Sequence, residues 1–268
     1  MTPLIDGDIL LHELGWSGEF KDKETGETII SPFDRVQELV DEKIKFICEQ
    51  VAATTPPIIY ITDSPWLAER QGREFIPNFR YEVAVTKPYK GTRNNPKPFH
   101  FYNIIAHLLA CHDTRIAQDG VEADDAMALH QTSQEDTIIC TRDKDLRMVP
   151  GWHYTWECGL QRSRGPHFTD EIGSLEKTEK DVLGYGLKFF FYQTLVGDNA
   201  DTIPGLPGAG KAMAFKLLDP LNTEEELFKA VVEAYKEKLG DDAQRHFREQ
   251  ADLLWMRQTD KLQYKRRK

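Results

Sequence analysis

Carboxylates recur in this sequence in five short segments, most of them set against an apolar run. Asp6-Gly-Asp8 follows Leu4-Ile5, and Asp63 follows Ile58-Ile-Tyr-Ile-Thr62. Glu122-Ala-Asp124-Asp125 follows Gly120-Val121, and Asp143-Lys-Asp145 follows Ile138-Ile-Cys-Thr-Arg142. Asp198-Asn-Ala-Asp201 lies between the apolar run Phe189–Val196 and Ile203-Pro-Gly205. Each segment has an ordinary explanation by itself. Acids in a first helical turn favour the helix dipole, Asp143 and Asp145 suit an exposed strand-end turn, and Asp198 and Asp201 suit a turn that ends a helix. Three acids in four residues at 122–125 exceed what capping needs, because like charges repel unless a cation offsets them. Hard divalent cations such as Mg²⁺ and Mn²⁺ take oxygen ligands and retain waters. Nine acids result, Asp6, Asp63, Glu122, Asp124, Asp125, Asp143, Asp145, Asp198 and Asp201, with Asp8 a marginal tenth. So many suit two ions rather than one. Two metals ~3.5–4 Å apart can activate a water and stabilise a leaving oxygen in phosphodiester hydrolysis.

Positive charge is sorted away from these acids. The chain carries 34 Lys and Arg against 44 Asp and Glu, a net charge of −10, which alone argues against a general nucleic-acid binder. Yet Val83 to His112 holds no Asp or Glu, where the chain's mean acidity would place about five. The same window holds Lys87, Lys90, Arg93, Lys97 and three histidines. A second signal is Ile203-Pro-Gly205-Leu-Pro-Gly208-Ala-Gly210-Lys211. Gly205-x4-Gly210-Lys211 matches the start of a P-loop, but Ala212 stands where a Ser or Thr would bind Mg²⁺, and an acidic turn rather than a strand precedes it. The alternative is a helix–hairpin–helix, in which Gly208 and Gly210 leave backbone N–H groups open to a phosphate oxygen at a helix N-terminus. Such contacts carry no sequence information. Carbonyls in such a hairpin can also hold a monovalent cation such as K⁺.

These residues need a scaffold that gathers strand ends. Strand-like runs at Pro3–Ile5, Ile58–Thr62, Thr137–Thr141 and His153–Trp156 alternate with helical patterns at Pro32–Ala53, Phe99–His112 and Ala123–Ser133. That alternation predicts an α/β fold with a mainly parallel sheet flanked by helices, whose sites form outside the carboxyl ends of the strands. A polar hairpin is expected near 21–28 and a loop at 94–98. After about Lys177 the pattern turns helical, with helices expected over Asp181–Val196, Gly208–Leu218, Glu224–Leu239 and Asp241–Gln258, then a basic tail at 265–268. The chain is 268 residues with a mean hydropathy of −0.53, and no apolar run approaches the ~18–20 residues a membrane helix needs. The four cysteines show no C-x-x-C pairing, and residues 1–8 lack the pattern of a signal peptide. A cytoplasmic protein with reduced thiols and no membrane partner is expected.

Taken together, the motifs resemble the flap endonuclease family of 5′ nucleases, in particular the compact bacteriophage 5′→3′ exonucleases and the 5′-nuclease domain of bacterial DNA polymerase I. The resemblance runs from about Leu4 to Arg257. It is carried in order by Asp-Gly-Asp at 6–8, Thr-Asp-Ser at 62–64, Tyr-Lys-Gly-Thr-Arg at 89–93, Glu-Ala-Asp-Asp at 122–125, Thr-Arg-Asp-Lys-Asp-Leu at 141–146 and Gly-Asp-Asn-Ala-Asp-Thr-Ile-Pro-Gly at 197–205. One stretch departs from the family pattern: Asp63 to Tyr89 is long and contains Pro65, Trp66 and Pro77.

The resemblance implies a 5′-nuclease (PIN-like) α/β core over residues 1–177, with a helical arch at about 83–112, and a helical DNA-binding region over 178–268. It implies two Mg²⁺ ions, with Mn²⁺ as an alternative, and a monovalent cation at the helix–hairpin–helix. Asp6, Asp63, Glu122 and Asp124 form the first metal site; Asp143, Asp145 and Asp198 form the second, with Asp124 near both and Asp125 and Asp201 in support. Lys90 and Arg93 match the basic pair that neutralises the scissile phosphate at the base of the arch. Lys87, Lys97, Gly205, Gly208, Gly210 and Lys211 are expected to bind DNA, and Phe99, Phe101 and Tyr102 either stack on bases or pack ordinarily. The implied activity is metal-dependent hydrolysis of DNA at 5′ flaps, nicks or 5′ ends in replication or repair, with RNA–DNA hybrids a further substrate class. A free-standing monomer is expected, without a sliding-clamp peptide, since the C-terminal segment offers one aromatic, Tyr264. The rivals are a ribonuclease on the same sheet and a catalytically silent DNA-structure-binding protein.

Overall fold

The computed structural model describes residues 1–93, 96–179 and 181–266. Part of the loop expected at 94–98 and the end of the basic tail lie outside the described residues. In chain order the elements are β1 (Thr2–Asp6), α1 (Gly7–Ser17), β2 (Glu19–Lys21), β3 (Thr28–Ile30), α2 (Phe33–Gln50), β4 (Ile58–Thr62), α3 (Pro65–Arg70), α4 (Arg80–Val83), α5 (Phe101–Cys111), β5 (Thr114–Ala117), α6 (Ala123–Ser133), β6 (Thr137–Cys140), β7 (Gly151–Thr155), β8 (Arg164–Thr169), β9 (Leu175–Lys177) and β10 (Val182–Gly184). Helices α7 (Gly186–Val196), α8 (Lys211–Leu218), α9 (Glu224–Leu239) and α10 (Ala243–Leu254) follow.

A six-stranded sheet of order β5-β4-β1-β6-β7-β8 organises the chain, parallel throughout except for β8. Its strands are short apolar runs because both faces are covered, as parallel sheets require. Side chains alternate across a strand, so the sheet divides its residues between two cores. Ile5, Ile59, Ile61, Ile138 and Cys140 pack with α1, α2 and α5; Leu4, Ile58, Tyr60 and Ile139 pack with α6 and α7. Helix α7 carries Phe189-Phe-Phe-Tyr192, all buried, and is covered on every side, so it anchors the C-terminal helices to the sheet. Fully burying one such ring contributes roughly 1.5–3 kcal/mol.

The chain leaves β1 toward β4 and β5 on one side and returns to β6 on the other. Strand β1 is therefore the switch point, where α/β sheets form their crevice. Gly7 starts α1 there: a Cβ would stand 2.6 Å from Tyr60 O and from Ile61 Cγ2, so only glycine lets α1 begin this close to β4. One local expectation is corrected. Residues 182–184 pair with β9 as a strand rather than opening the helix expected from Asp181, and Gly186, at φ +63°, breaks the chain before α7. No helix among the described residues is long and apolar enough to cross a membrane.

Candidate active site

Because β1, β4, β5 and β6 run parallel, their carboxyl ends share one edge, and a cleft of about 360 Å³ opens there. Eight carboxylates line it: Asp6, Asp8, Asp63, Glu122, Asp124, Asp143, Asp145 and Asp201. Three cationic side chains face them, Lys90, Arg93 and Lys97, together with His12. Asp6 ends β1 and caps α1, accepting from Ile9 N at 3.1 Å and from the Thr141 hydroxyl at 2.6 Å. Asp8 accepts from Thr62 N at 3.0 Å, which fixes it to the end of β4. In the turn after β6, Asp143 accepts from Asp145 N at 2.9 Å.

Some of these acids have internal cations and others do not. Arg73 forks onto Asp63 at 2.5 and 2.6 Å. Lys90 pairs with Glu122, Arg93 with Asp201, and Lys144 bridges Asp145 and Asp198. Among the described residues no ion pair joins Asp6, Asp8, Asp124 or Asp143, and these four titrate high. Burial, then Asp8, pushes Asp6 up to about 7. Burial, then Asp145, pushes Asp143 up to about 6. Burial raises Asp8 and holds Asp124 well above the carboxylate range, with Asp125 and Glu122 adding to the latter. Glu122 and Asp198 stay below their ordinary values despite burial, because of Lys90 and Lys144 respectively. One buried and three partly buried carboxylates without an ion-pair partner, beside others that have one, are a donor set suited to a hard divalent ion.

The basic loop docks directly on this edge. Tyr89 OH donates to Glu122 at 2.8 Å and lies 3.1 Å from Asp201 Oδ2; Lys90 N donates to Asp201 O at 2.9 Å. Lys90 takes φ +53°, an uncommon backbone for a non-glycine residue, and its ammonium projects among the acids. Asp201 is thus the anchor of the 89–93 loop. Asp198 lines a neighbouring cavity with Lys144, Gly210 and Lys211, so it stands between the cleft and the glycine hairpin. That hairpin closes by paired hydrogen bonds of 2.8 Å between Asp198 and Ile203, and leads through Gly208 to the N-terminus of α8.

The geometry places several of the expected site residues away from the cleft or the surface. Asp125 is fully buried away from the cleft: both its oxygens are held by Arg80 at 2.6 and 2.9 Å, and it reaches back to Glu122 N at 3.3 Å. Arg80 also donates to Leu253 O and Trp255 O, so the pair is a satisfied structural joint between α4, α6 and the end of α10. Gly205 is buried and its N–H donates to Gln250 Oε1 at 2.9 Å, which removes it from any DNA surface. Phe101 packs in the core beside His12, and Tyr102 lies 4.6 Å from Trp66; only Phe99 stays open. Lys87, Gly208, Gly210 and Lys211 are exposed, Lys211 pairing with Asp181 at 2.8 Å, and exposed Lys97 donates to Tyr102 OH at 3.0 Å. Conversely, Asp8 belongs in the cleft, and the long 63–89 stretch folds back through α3 to deliver Arg73. The strand–Gly–acid pattern at 5–8 could have signalled Asp8; nothing in the sequence signals Arg73.

No protein-family model matches the chain. Over 181 residues it is 39% identical to DNA polymerase I of Bacillus subtilis (strain 168), covering 64% of this chain and 20% of that protein. Over 161 residues it is 27% identical to flap endonuclease Xni of Shewanella halifaxensis (strain HAW-EB4), covering 56% and 59%. The T5 D15 protein co-crystallised with metal ions matches with a TM-score of 0.50 at 15% identity, covering 94% of this chain and 98% of that one. The chain spans about a fifth of the polymerases and about half to three-fifths of the other curated relatives it matches. The fold is therefore the α/β fold of the T5 protein, a mostly parallel six-stranded sheet with a C-terminal helical region. By sequence the chain is related to the 5′-nuclease (flap endonuclease) family.

Proposed function

We propose that this chain is a divalent-metal-dependent 5′ nuclease that hydrolyses DNA phosphodiesters at 5′ flaps, nicks or 5′ ends. The observation that carries it is the convergence of carboxylates from five segments on one strand-end cleft, with Lys90 and Arg93 facing them across it. Asp6, Asp8, Asp63, Glu122 and Asp124 would hold one ion, and Asp143, Asp145 and Asp198 the other, with Asp124 shared. When bound, Mg²⁺ or Mn²⁺ supplies activation of the attacking water and charge stabilisation of the leaving oxygen. The chain's own cations do the rest. The Lys90 ammonium and Arg93 guanidinium meet the negative charge of the scissile phosphate at the mouth of the cleft. Lys87 and Lys97 guide the single-stranded 5′ end, and the open N–H groups of Gly208 and Gly210, with Lys211, hold duplex backbone at the start of α8; this turn is also where K⁺ would sit. The deciding experiment is cleavage of a 5′-flap DNA, and of an RNA of the same shape, with Mg²⁺ and with chelator. Mg²⁺-dependent release of the DNA flap supports the proposal; cleavage of RNA alone makes the chain a ribonuclease, and binding without cleavage makes it a structural reader.

A further inference from the structure

On the face of the molecule formed by α2 and α5, outside the acidic cleft, Asp41, His107 and His112 converge. Asp41 comes from α2, His107 from the last turns of α5, and His112 from the residue that ends that helix. The Nε2 atoms of His107 and His112 lie 2.7 and 2.8 Å from one oxygen, Asp41 Oδ1. The two rings stand nearly perpendicular, at 83°, so their nitrogens approach that point from different directions. The His107 side chain is 5% exposed, that of His112 19%, and that of Asp41 46%, which leaves one side of the cluster open to solvent. We propose that these three residues form a binding site for a divalent transition-metal ion of the zinc class, which fastens α2 to the end of α5.

Two imidazoles and a carboxylate suit Zn²⁺, Co²⁺ or Ni²⁺, whereas Mg²⁺ prefers an all-oxygen set. The site and the acidic cleft therefore select different ions. Three protein donors with one position left to water is a common zinc arrangement, with ligand bonds of about 2.0–2.2 Å. Tetrahedral donors around such an ion lie about 3.3 Å apart. Oδ1 must then withdraw by about half an ångström from each nitrogen, a movement open to the half-exposed Asp41 side chain. Each ring carries its proton on Nδ1 in the loaded state, leaving the Nε2 lone pair for the metal.

The test is titration of the untagged full chain with Zn²⁺ by calorimetry, and with Co²⁺ by visible absorption, while Mg²⁺ in large excess fills the acidic cleft. One equivalent of tight binding is expected. His112→Ala and Asp41→Asn should each weaken it by at least about tenfold, since even an outer partner of a metal ligand is worth that much. Asp41→Asn alters a half-exposed side chain, so it keeps the measurement meaningful if His112→Ala fails to fold. Asp124→Asn in the cleft and Cys111→Ser at the exposed thiol should leave binding unchanged. Absence of binding, binding indifferent to both His112→Ala and Asp41→Asn, or binding abolished by Asp124→Asn or Cys111→Ser would overturn the proposal.

Discussion

Arg73 occupies a carboxylate that the proposed metal site would use. Its guanidinium holds both oxygens of Asp63 at 2.5 and 2.6 Å, the Asp63 side chain being 6% exposed and the arginine 24%. For Asp63 to serve an ion, this fork must open or be shared. Hydrogen bonds to charged groups contribute roughly 1.5–3 kcal/mol, and because Arg73 borders solvent the lower end applies. Removing the competitor should thus tighten the ion held by Asp63 by about tenfold, at ~1.4 kcal/mol per decade. The assay is the Mg²⁺ concentration giving half-maximal single-turnover cleavage of flap DNA, compared between the parent and Arg73→Ala, with direct Mn²⁺ titration in parallel. Arg73→Ala should shift both midpoints downward, and Arg73→Lys, which keeps the charge but loses the fork, should fall between. An unchanged or higher midpoint would refute competition and make Arg73 a support that orients Asp63 for the ion.

Three further outcomes are expected. Lys90→Ala should lower single-turnover cleavage by ~10²–10³ with nearly constant flap affinity, because Lys87, Arg93 and Lys97 remain; equal losses in rate and affinity would make Lys90 a tether. Gly210→Asp should weaken duplex binding by about tenfold without lowering thermal stability, since Gly210 sits at φ −96° as the N-cap of α8 with open space around its Cβ position; Gly208, at φ +82°, would confound the same test with strain. In chelator, Asp6 at about 7 and Asp143 at about 6 bind protons more tightly folded than unfolded. Stability should therefore rise by ~4 kcal/mol as pH falls from about 8 to about 5 and be lost as pH climbs through 6–7. Excess Mg²⁺ should flatten that slope in denaturant melts.

Sequence was informative where one local signal decides the outcome. Apolar runs such as Ile58–Thr62 and Thr137–Thr141 read as buried strands, and an acid shortly after such a run is placed by topology alone. The acid-free window marked the basic loop for the same reason: charge sorting is visible without coordinates. What stayed hidden depended on distant partners. Asp125 and Arg80 are 45 residues apart, and only the packing of α4 against α6 makes this candidate supporting acid one half of a buried ion pair. Gly205 has the composition of a phosphate loop, yet its backbone faces Gln250. Strand β5, Thr-Arg-Ile-Ala, is too short and polar to announce itself, and it forms because β4 offers it an edge. Strand β10 was hidden inside an apolar run continuous with α7.

The most direct test is Asp124→Asn beside the parent, measured by single-turnover cleavage and binding of one 5′-flap DNA with Mg²⁺. Asp124 is half-buried in the cleft, lacks an ion-pair partner among the described residues and is held well above the carboxylate range by desolvation and its acidic neighbours. A two-ion cleft predicts that the parent cleaves only with the metal, while Asp124→Asn binds the flap as well or more tightly and does not turn over. Cleavage by Asp124→Asn at near the parental rate, or parental cleavage that persists in chelator, would contradict it.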